Sequence, residues 1–341
     1  MKKKPRICAV GMFLPIYKIQ LQTLMDVFLE HGIDSIKTTN CQHKILKFYD
    51  ILFFLPWNRK KYNVIHVQAH SGFNIISVIL AIFWAKVLKK KTIVMYYGGA
   101  AKSYFATSPI FFKTIFSQID KIVVAGNYVH SIFSDLKIST TIISHVININ
   151  KWPYRNRNKS GRCLLWVRHL LDEYNPIMLL EVFKKLKQVA PELKLRVIGS
   201  GKLKDEMEQF ISNHSLTDIE MLGRVSDSEL RSSLNWADLF LNTTNVDNQP
   251  VSVLEAMACG CPVVSTNPGG VPDIIVHKNN GMLSAPGDVD TMVKNVKLLF
   301  NNAELYSDLS KNGREYVESK FGKEVIFEQW TELYSELGFS L

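Results

Sequence analysis

The sequence predicts an α/β fold with two Rossmann-like domains, each built on a parallel β-sheet. Short apolar runs alternate with helix-length segments along all 341 residues, which is the pattern of repeated β–α units. One polar, basic stretch with almost no apolar periodicity, Asn148–Arg162, interrupts the pattern near the middle. We therefore place an N-terminal domain at 1–150 and a C-terminal domain at 160–341, with their sheets facing each other across a cleft.

The apolar runs give the positions of the strands. The first half contributes Ile7–Val10, Val64–Val67, Thr92–Tyr96, Lys121–Val124 and Thr140–Ile143. The second half contributes Cys163–Val167, Lys194–Ile198, Ile219–Leu222, Leu239–Asn242, Pro262–Ser265 and Gly281–Leu283. Phe73–Leu88 is the longest apolar stretch, but it is shorter than the roughly 20 residues of a bilayer span, so it is predicted to be a buried helix. The last helix is expected to pack either on the C-terminal domain or back on the N-terminal domain.

Helix starts are marked by their capping residues. Asn175-Pro176 offers a capping side chain followed by proline at the first helical position. Ser226 with Glu229 forms a capping box, and Pro250 opens a further helix. Asp288 and Asp290 follow Pro286-Gly287 and open another helix, where acidic residues offset the helix dipole. A metal site at this acidic pair is the less favoured interpretation.

Composition excludes some classes of protein. The chain is 47% hydrophobic, enough to bury real cores, so dominant disorder is excluded. Its five cysteines are scattered and odd in number, which argues against a disulfide framework and favours a reducing, cytoplasmic location. Cys259 and Cys261 lack a neighbouring Cys/His pair, so we expect no metal there.

The positive charge is concentrated in the first half. Residues 1–150 carry 19 Lys and Arg against 6 Asp and Glu, whereas the remainder carries 22 against 25. Such a basic half suggests an anionic partner. Within it, the segment from His43 to Lys61 mixes aromatic residues with cations. It reads either as an amphipathic segment at an anionic membrane surface or as a core helix with solvated lysines. No nucleic-acid recognition motif accompanies the charge.

One segment combines groups suited to a nucleotide sugar, Asp247-Asn-Gln-Pro-Val-Ser-Val-Leu-Glu255. A strand ends near Asn242, a polar loop follows, and a helix opens at Pro250. Free N–H groups of Val251, Ser252 and Val253 would give this helix start an affinity for a diphosphate. Glu255 would hold ribose hydroxyls from inside the helix, and Asp247 would reach a sugar ring from the loop. The same spacing is also compatible with a buried helix that has one polar edge.

The wider stretch resembles the retaining, metal-independent glycosyltransferases of family four, which have the GT-B architecture of two Rossmann-like domains. Their signature has two acidic residues with seven residues between them, followed by Ala-Met-Ala, Gly, Pro and Gly-Gly. Here Asp247 and Glu255 take the acidic positions. The rest of the signature is matched by Ala256-Met257-Ala258, Gly260, Pro262 and Gly269-Gly270.

The resemblance implies roles for further residues. Arg168, after the strand Cys163–Val167, resembles the family's phosphate-binding arginine and joins Asp247 as a catalytic candidate. The usual second cation, a lysine five or six residues later, is replaced by Glu173-Tyr174. Gly199 and Gly201 resemble the turn that lets the donor approach the backbone, and 223–225 the stretch against the nucleotide base. The predicted donor-binding residues are Gly199, Gly201, Gly223, Arg224, Val225, Asn248, Gln249, Pro250, Val251, Ser252, Val253 and Glu255.

The first half departs more from the family. Gly11 stands where many relatives have a Gly-Gly pair. After Thr92–Tyr96, where relatives often place a histidine, this chain has Tyr97-Gly98-Gly99 and then Lys102. These four are the acceptor-side candidates, and Tyr97 is either a hydrogen-bonding substitute or a packing residue. His66 and His70 are interpreted as loop or core histidines.

Together these features predict a hexosyltransferase that moves a sugar from a nucleotide-sugar donor to a glycan or lipid-linked saccharide, with retention of configuration. The expected setting is cell-surface polysaccharide synthesis, in the cytoplasm or at the inner face of the membrane. No cofactor or metal is expected, since the donor is itself a substrate. Two alternatives stay open: a non-catalytic nucleotide-sugar-binding subunit, and a GT-B sugar phosphorylase or epimerase.

Overall fold

The structure, a computed structural model, describes residues 3–12, 20–39, 44–70, 75–158 and 161–341. It divides into two compact units. The first unit comprises Met1–Val146 with Lys323–Leu341, and the second comprises Ile147–Gly322. The last helix of the chain thus belongs to the first unit.

The first unit contains six strands and six helices before the chain leaves it, counted over the described residues. In chain order they are β1 (Ile7–Met12), α1 (Gln20–Glu30), β2 (Ser35–Thr39), α2 (Lys44–Trp57), β3 (Val64–Ala69), α3 (Ile75–Leu88), β4 (Lys91–Tyr96), α4 (Ala101–Ala106), α5 (Pro109–Phe116), β5 (Lys121–Val124), α6 (Asn127–Asp135) and β6 (Thr141–Ile142). All strands pair in parallel, in the order β2-β1-β3-β4-β5-β6. The strand β2 was not predicted.

Helices cover both faces of this first sheet, which is why its strands are continuous apolar runs. Alternate strand residues point to opposite faces. Val67 and Val94 share a core with α2 to α6, whereas Ala9 and Ile93 share another core with α1 and the last helix. The fold class predicted from the apolar runs is confirmed for this unit.

The second unit repeats the architecture. Its elements are β7 (Cys163–Val167), α7 (Pro176–Lys187), β8 (Lys194–Ile198), α8 (Lys204–Asn213), β9 (Ile219–Gly223), α9 (Asp227–Trp236), β10 (Leu239–Asn242), α10 (Val251–Ala258), β11 (Val263–Thr266), β12 (Met282–Ser284), α11 (Val289–Asn301) and α12 (Ala303–Phe321). The parallel order is β12-β11-β10-β7-β8-β9. From β7 the chain first winds one way to β9 and then returns to β10 beside β7. The switch point of the sheet therefore lies between β7 and β10, where open α/β sheets bind ligands.

The predicted helix starts are confirmed in this unit. The side chain of Asn175 accepts a hydrogen bond from the Met178 N–H at 3.1 Å, with Pro176 opening α7. Ser226 and Glu229 form the reciprocal capping box of α9. Asp288 accepts from the Thr291 N–H at 2.9 Å and so caps α11.

The polar stretch predicted as a linker packs onto the second unit. Arg157 is only 2% exposed. Its guanidinium donates to the carbonyl oxygens of Leu234 and Ala237 at the end of α9, and to that of Cys259 at the end of α10. Carbonyl groups in the last turn of a helix lack intrahelical donors, and a cation there also offsets the helix dipole. Arg157 therefore caps the C-terminal ends of two helices, a role that the charge pattern of the sequence did not indicate.

The last helix, α13 (Lys323–Glu336), completes the first unit. Its Trp330 and Tyr334 pack edge-on against Phe28 of α1, with ring centroids 6.0 and 5.9 Å apart. His66 of β3 lies in the same aromatic cluster, 4.9 Å from the Trp330 ring centroid. Burial of these rings against α1 is what attaches the end of the chain to its beginning.

The helix α3 was predicted to be buried, and this is only half correct. Its inner side, including Val78 and Ala81, is in the core, but Ile76, Phe83 and Val87 are exposed. Its neighbours in the layer, α2 and α5, also carry exposed apolar side chains. Among the described residues, no helix is both long enough and apolar enough to cross a membrane.

Candidate active site

The candidate site lies at the carboxyl ends of β7 and β10, which are neighbours in the second sheet. Arg168 directly follows β7, and Asn242 is the last residue of β10. The loop after β10 carries Asp247 before α10 begins at Val251. Because both strands run in the same direction, residues that are 79 positions apart in the chain meet at one edge.

An ion pair joins the two catalytic candidates. The Nη2 of Arg168 donates to Oδ2 of Asp247 at 2.5 Å, and both side chains are largely buried. The Nε of Arg168 donates to Oδ1 of Asn242 at 3.2 Å. Asn242 is itself fully buried and donates to Ser265 Oγ at 2.9 Å. Groups from β10 and the loop after it thus hold the guanidinium in one orientation, and Ser265 of β11 holds Asn242.

Tyr174 adds a third contact to Arg168. The guanidinium carbon lies 5.1 Å from the centre of the tyrosine ring, a cation–π distance. The hydroxyl of Thr243 donates to the carbonyl oxygen of Tyr174 at 2.9 Å. This hydrogen bond holds the backbone of Tyr174 against the loop after β10. The family's lysine is missing at this place, and the structure shows an aromatic support for Arg168 instead. From the sequence, Tyr174 was only a departure from the family and Asn242 was not among the predicted site residues. The only signal for Asn242 was that a polar residue ends a buried strand.

Burial raises the pKa values of both carboxyl groups. For Asp247 burial raises the pKa, and the adjacent Arg168 opposes that rise. The pKa of Glu255 is raised to about 8, by burial first and by Asp227 second, against the opposing effects of Arg168 and Lys151. Glu255 therefore holds a proton over much of the neutral range until a hydrogen-bond donor or a cation stabilises its charge.

The start of α10 has two backbone amides that are open to a ligand. Among the described residues, the N–H groups of Val251 and Ser252 have no backbone acceptor. The prediction that Val253 also offers a free N–H is wrong, because that group donates to the Pro250 carbonyl at 3.1 Å. The helix begins with a tight first turn in which Pro250 accepts from both Val253 and Leu254.

Two buried polar side chains beside this terminus have no partner within the described part of the chain. They are Asn248, for both its amide oxygen and nitrogen, and Ser252, for its hydroxyl oxygen. Buried polar groups are nearly always hydrogen-bonded in proteins. The backbone at Gly270 packs so close to Asn248 that a Cβ there would overlap the Asn248 carbonyl oxygen. Asn248 and Ser252 therefore hold buried polar atoms whose hydrogen-bonding capacity is unused within the described residues.

The glycines after β8 serve a backbone crossing. Gly199 has φ +140°, and a Cβ there would overlap the carbonyl oxygen of Arg168. A Cβ on Gly201 would likewise overlap the carbonyl oxygen of Leu170. The Gly-x-Gly turn therefore lets the loop carrying Arg168 pass against β8. The predicted approach of the donor to this turn stays a prediction.

The stretch predicted to face the nucleotide base begins where β9 ends. Gly223 has φ +64° and its carbonyl oxygen accepts from the Gly199 N–H at 2.8 Å. Arg224 is exposed and its Nε donates to Ser200 Oγ at 2.8 Å. Val225 is half-buried against the core under α10. The hydrogen bonds from Gly199 to Gly223 and from Arg224 to Ser200 join the loop after β8 to the loop after β9. Gln249 and Pro250 are buried within the loop of Asp247.

The acceptor-side candidates lie in the first unit. Tyr97 is buried in the core beside His145, with ring centroids 4.3 Å apart, so it packs as one of its two interpretations expected. Gly98 and Gly99 form the turn that follows, and Lys102 is exposed on α4. His66 is a core histidine, also as expected. Residues 13–19, which follow Gly11 and β1, and His43, the first residue of the basic aromatic segment, lie outside the residues that the structure describes.

Two other predictions concern groups outside this site. Cys259 and Cys261 are buried, and the Cys261 thiol lies 3.9 Å from the Ala237 carbonyl oxygen. Burial raises their pKa values to about 12 and about 11. Asp290, next to the cap of α11, forms an exposed ion pair with Lys185 at 2.6 Å.

The sequence that carries this site is similar to that of known proteins. Residues 150–316, which contain every donor-site candidate, match the family described as glycosyl transferases group 1. Over this stretch, about half of the chain, the sequence is similar to that family. An uncharacterized glycosyltransferase of Methanocaldococcus jannaschii is 26% identical over 228 residues, covering 67% of this chain and 62% of that protein. The amylovoran biosynthesis glycosyltransferase of Erwinia amylovora is 28% identical, covering 51% of this chain and 44% of that protein.

Solved structures confirm the fold. HepE from Anabaena in complex with UDP-glucose has a TM-score of 0.78 at 14% identity, covering 97% of this chain and 99% of that one. The predicted GT-B fold of two Rossmann-like domains is therefore confirmed. The matched stretch spans less than two thirds of either relative's length.

Proposed function

We propose that the protein transfers a sugar from a nucleotide-sugar donor to a glycan or lipid-linked saccharide acceptor, without a metal ion and with retention of configuration. The observation that carries this proposal is the constellation at one sheet edge: the Arg168–Asp247 ion pair, the open amides of α10 and Glu255. Its support from outside the chain is the group 1 family match and the nucleotide-sugar complex of HepE.

In this proposal each charged group has one task. Arg168 and the amides of Val251 and Ser252 neutralise the departing diphosphate, which is why no metal is required. Asp247 contacts the donor sugar, and because it shares Arg168 with the diphosphate, the two ends of the breaking bond are linked by one guanidinium. Glu255 accepts hydrogen bonds from the ribose hydroxyls and becomes ionised as it does so.

One relative's name and the charge of the first unit support the acceptor and the cellular setting in this proposal. A relative named for amylovoran biosynthesis suggests a role in polysaccharide synthesis. The basic first unit suits an anionic acceptor or an anionic membrane surface at the cytoplasmic side. The exposed Lys102 is the first-unit candidate for contact with such an acceptor.

Kinetics of two variants test the donor-site assignment. We expect Asp247→Ala to lower kcat by about a hundredfold or more, since it removes a charge that acts on the reacting sugar. Glu255→Ala should chiefly raise the donor KM, by roughly tenfold, because it removes ribose contacts. Asp290→Ala, an exposed carboxylate of the same unit, is the control and should leave both constants unchanged. Rates like those of the unaltered protein in both site variants would overturn the assignment.

The pair Glu173-Tyr174 in place of the usual lysine favours one alternative, a subunit that binds a nucleotide sugar without transferring it. Donor binding and turnover separate the two functions. A nucleotide sugar that raises the Tm of the purified protein, yet is neither hydrolysed nor consumed with any saccharide acceptor, supports the binding subunit. Release of the nucleoside diphosphate supports the transferase.

A further inference from the structure

One face of the first unit carries exposed apolar side chains on three helices. The helices α2, α3 and α5 cover the same side of the first sheet. Their inner residues, such as Leu55, Val78 and Phe116, share a single core with Val67 and Val94 of the strands. The opposite sides of these three helices therefore point away from the sheet.

These outer sides are apolar where a soluble surface is normally polar. Trp57 is 88% exposed, Ile110 is 83% exposed and Phe53 is 65% exposed. On α2 the exposed residues recur every four positions, so they form one stripe along the helix. We call the whole set the apolar face: Tyr49, Phe53, Trp57, Ile76, Phe83, Val87, Ile110 and Phe111.

The segment that carries this face is rich in cations and poor in acids. Arg59, Lys60 and Lys61 directly follow α2 and are exposed. From residue 44 to 121 the sequence has 12 Lys and Arg but only 2 Asp and Glu. One of these acids, Asp120, is already paired with Lys91 at 2.7 Å. The helices α3 and α5 contain no acid at all.

The end of α2 brings the two properties together in one place. An open cavity of ≈ 410 Å³ lies there, lined by Phe53, Phe54, Pro56 and Trp57, with Arg59 among its lining residues. An apolar recess beside an exposed guanidinium matches an amphiphile with an anionic headgroup, because each part of the molecule meets its complement.

We infer that the apolar face of α2, α3 and α5 docks on an anionic lipid bilayer, with its aromatic and aliphatic side chains inserted among the headgroups and its cations on the lipid phosphates. The charge decides between occupants. A second copy of this chain would bring the same cations against each other, whereas an anionic bilayer neutralises them. The face spreads over three helices, so it reaches beyond the α2 segment that the sequence singled out. Docking goes beyond sugar transfer and needs neither donor nor acceptor.

Flotation of the purified chain with vesicles tests the inference. We expect binding to vesicles containing phosphatidylglycerol and little binding to vesicles of phosphatidylcholine alone. Replacing Arg59, Lys60 and Lys61 by glutamine should lower the partition coefficient roughly a hundredfold, at about fivefold for each cation near the surface. The substitutions Phe53→Ser with Trp57→Ser should lower it by at least about tenfold through lost apolar burial.

Two further single variants test the three-helix extent. Phe83→Ser on α3 and Ile110→Ser on α5 should each weaken vesicle binding severalfold. If only the α2 variants matter, the three-helix face is wrong. All variants are exposed side chains, and an unchanged Tm shows that each still folds.

Controls come from the second unit. Val189 and Val276 are exposed apolar residues there, and Lys294 and Lys297 are cations on α11. Changing the valines to serine, or the lysines to glutamine, should leave vesicle binding unchanged. Equal binding by all variants, or apolar variants that change only the oligomeric state, would overturn docking on a bilayer. Because donor binding is measured without lipid, failure here leaves the transferase proposal intact, and failure there leaves docking intact.

Discussion

The carboxyl-end edges of the two sheets have opposite chemistry. In the second unit this edge carries an ion pair, Arg168 with Asp247, and the titratable Glu255 close by. In the first unit the corresponding region after β4 is occupied by the buried ring of Tyr97 against His145, and burial lowers the pKa of that histidine to about 3. The same architecture therefore carries an ion pair at one sheet edge and, among the described residues after β4, an uncharged aromatic pair at the other. The first unit places its charge on the outside of its helices instead.

Backbone packing differs between the units in the same way. In the second unit Gly199 has φ +140° and its missing Cβ is replaced by the carbonyl group of Arg168. In the first unit Gly32 also has a positive φ, +74°, but nothing lies within 4 Å of where its Cβ would be. The charged edge thus depends on a close crossing of two loops, whereas the turn at Gly32 needs only a permissive backbone.

The largest predicted effect follows from this difference. We expect Gly199→Ala to reduce the free energy of unfolding of the second unit by about 3 kcal/mol or more, because it adds a backbone overlap to an unfavourable φ. Gly32→Ala should cost only about 1 kcal/mol, the strain of the left-handed region alone. Hydrogen–deuterium exchange in denaturant, resolved for each unit, measures both. Equal losses at the two glycines would show that the crossing at Arg168 contributes nothing.

Most of the fold could be predicted because buried parallel strands are apolar on both faces. Cys163–Val167, Lys194–Ile198 and Lys121–Val124 were predicted with the bounds that the structure has. The strand β2 was missed because Ser35-Ile-Lys-Thr-Thr39 is an edge strand with only one strongly apolar residue. The outer side of α3 was also misjudged, since a uniformly apolar helix gives no sign of which side faces the sheet.

The site was predictable where chemistry follows from spacing, and not where it depends on tertiary contact. Asp247 and Glu255 were predicted from a strand–loop–helix motif, and Arg168 was predicted from the family resemblance. That Arg168 pairs with Asp247 and rests on Tyr174 depends on the adjacency of β7 and β10, which are separated by two β–α units in the chain. The N–H of Val253 is not free because the first turn after Pro250 is tight. Residue types alone do not specify this backbone detail.

The next effect concerns the pH dependence of donor binding at the charged edge. Since burial raises the pKa of Glu255 to about 8, this group must lose its proton before both of its oxygens can accept hydrogen bonds from ribose. Donor affinity should therefore rise with pH up to about pH 8, by up to roughly tenfold for each pH unit below it. UDP-glucose, or the nucleotide sugar that stabilises the protein most, is the probe for calorimetric titration from pH 6 to pH 9.

A conservative variant separates this effect from other ionisations. Glu255→Gln keeps the size of the side chain and offers a neutral acceptor, so donor affinity should become nearly independent of pH. Asp290→Asn, on the exposed side of α11, should preserve the pH dependence of the unaltered protein. A slope that persists in Glu255→Gln would assign the titration to another group, and Asp247 would then be the first to examine.

The smallest effect tests the neutral edge and core of the first unit. His66 is fully buried among Phe28, Trp330 and Tyr334, and neither ring nitrogen has a hydrogen-bond partner within the described residues. Burial lowers the pKa of His66 to about 3, below its usual value of 6.5. The unfolded chain therefore binds the proton more readily, so the stability of the first unit is complete above pH 6.5 and falls as the pH drops toward 3.

His66→Phe should remove part of this acid sensitivity while keeping an aromatic ring in the cluster. At pH 7 we expect the free energy of unfolding to change by no more than about 1 kcal/mol. The substitution removes two unpaired buried nitrogens and changes the volume of the side chain only slightly. Between pH 6 and pH 5 the variant should lose about 1 kcal/mol less than the unaltered first unit, as one fewer proton is taken up on unfolding. His214→Phe, an exposed histidine of the second unit, is the matched control and should not alter the acid sensitivity of the first. An unchanged slope in His66→Phe would assign the sensitivity to His145, whose pKa is also lowered by burial and by His70.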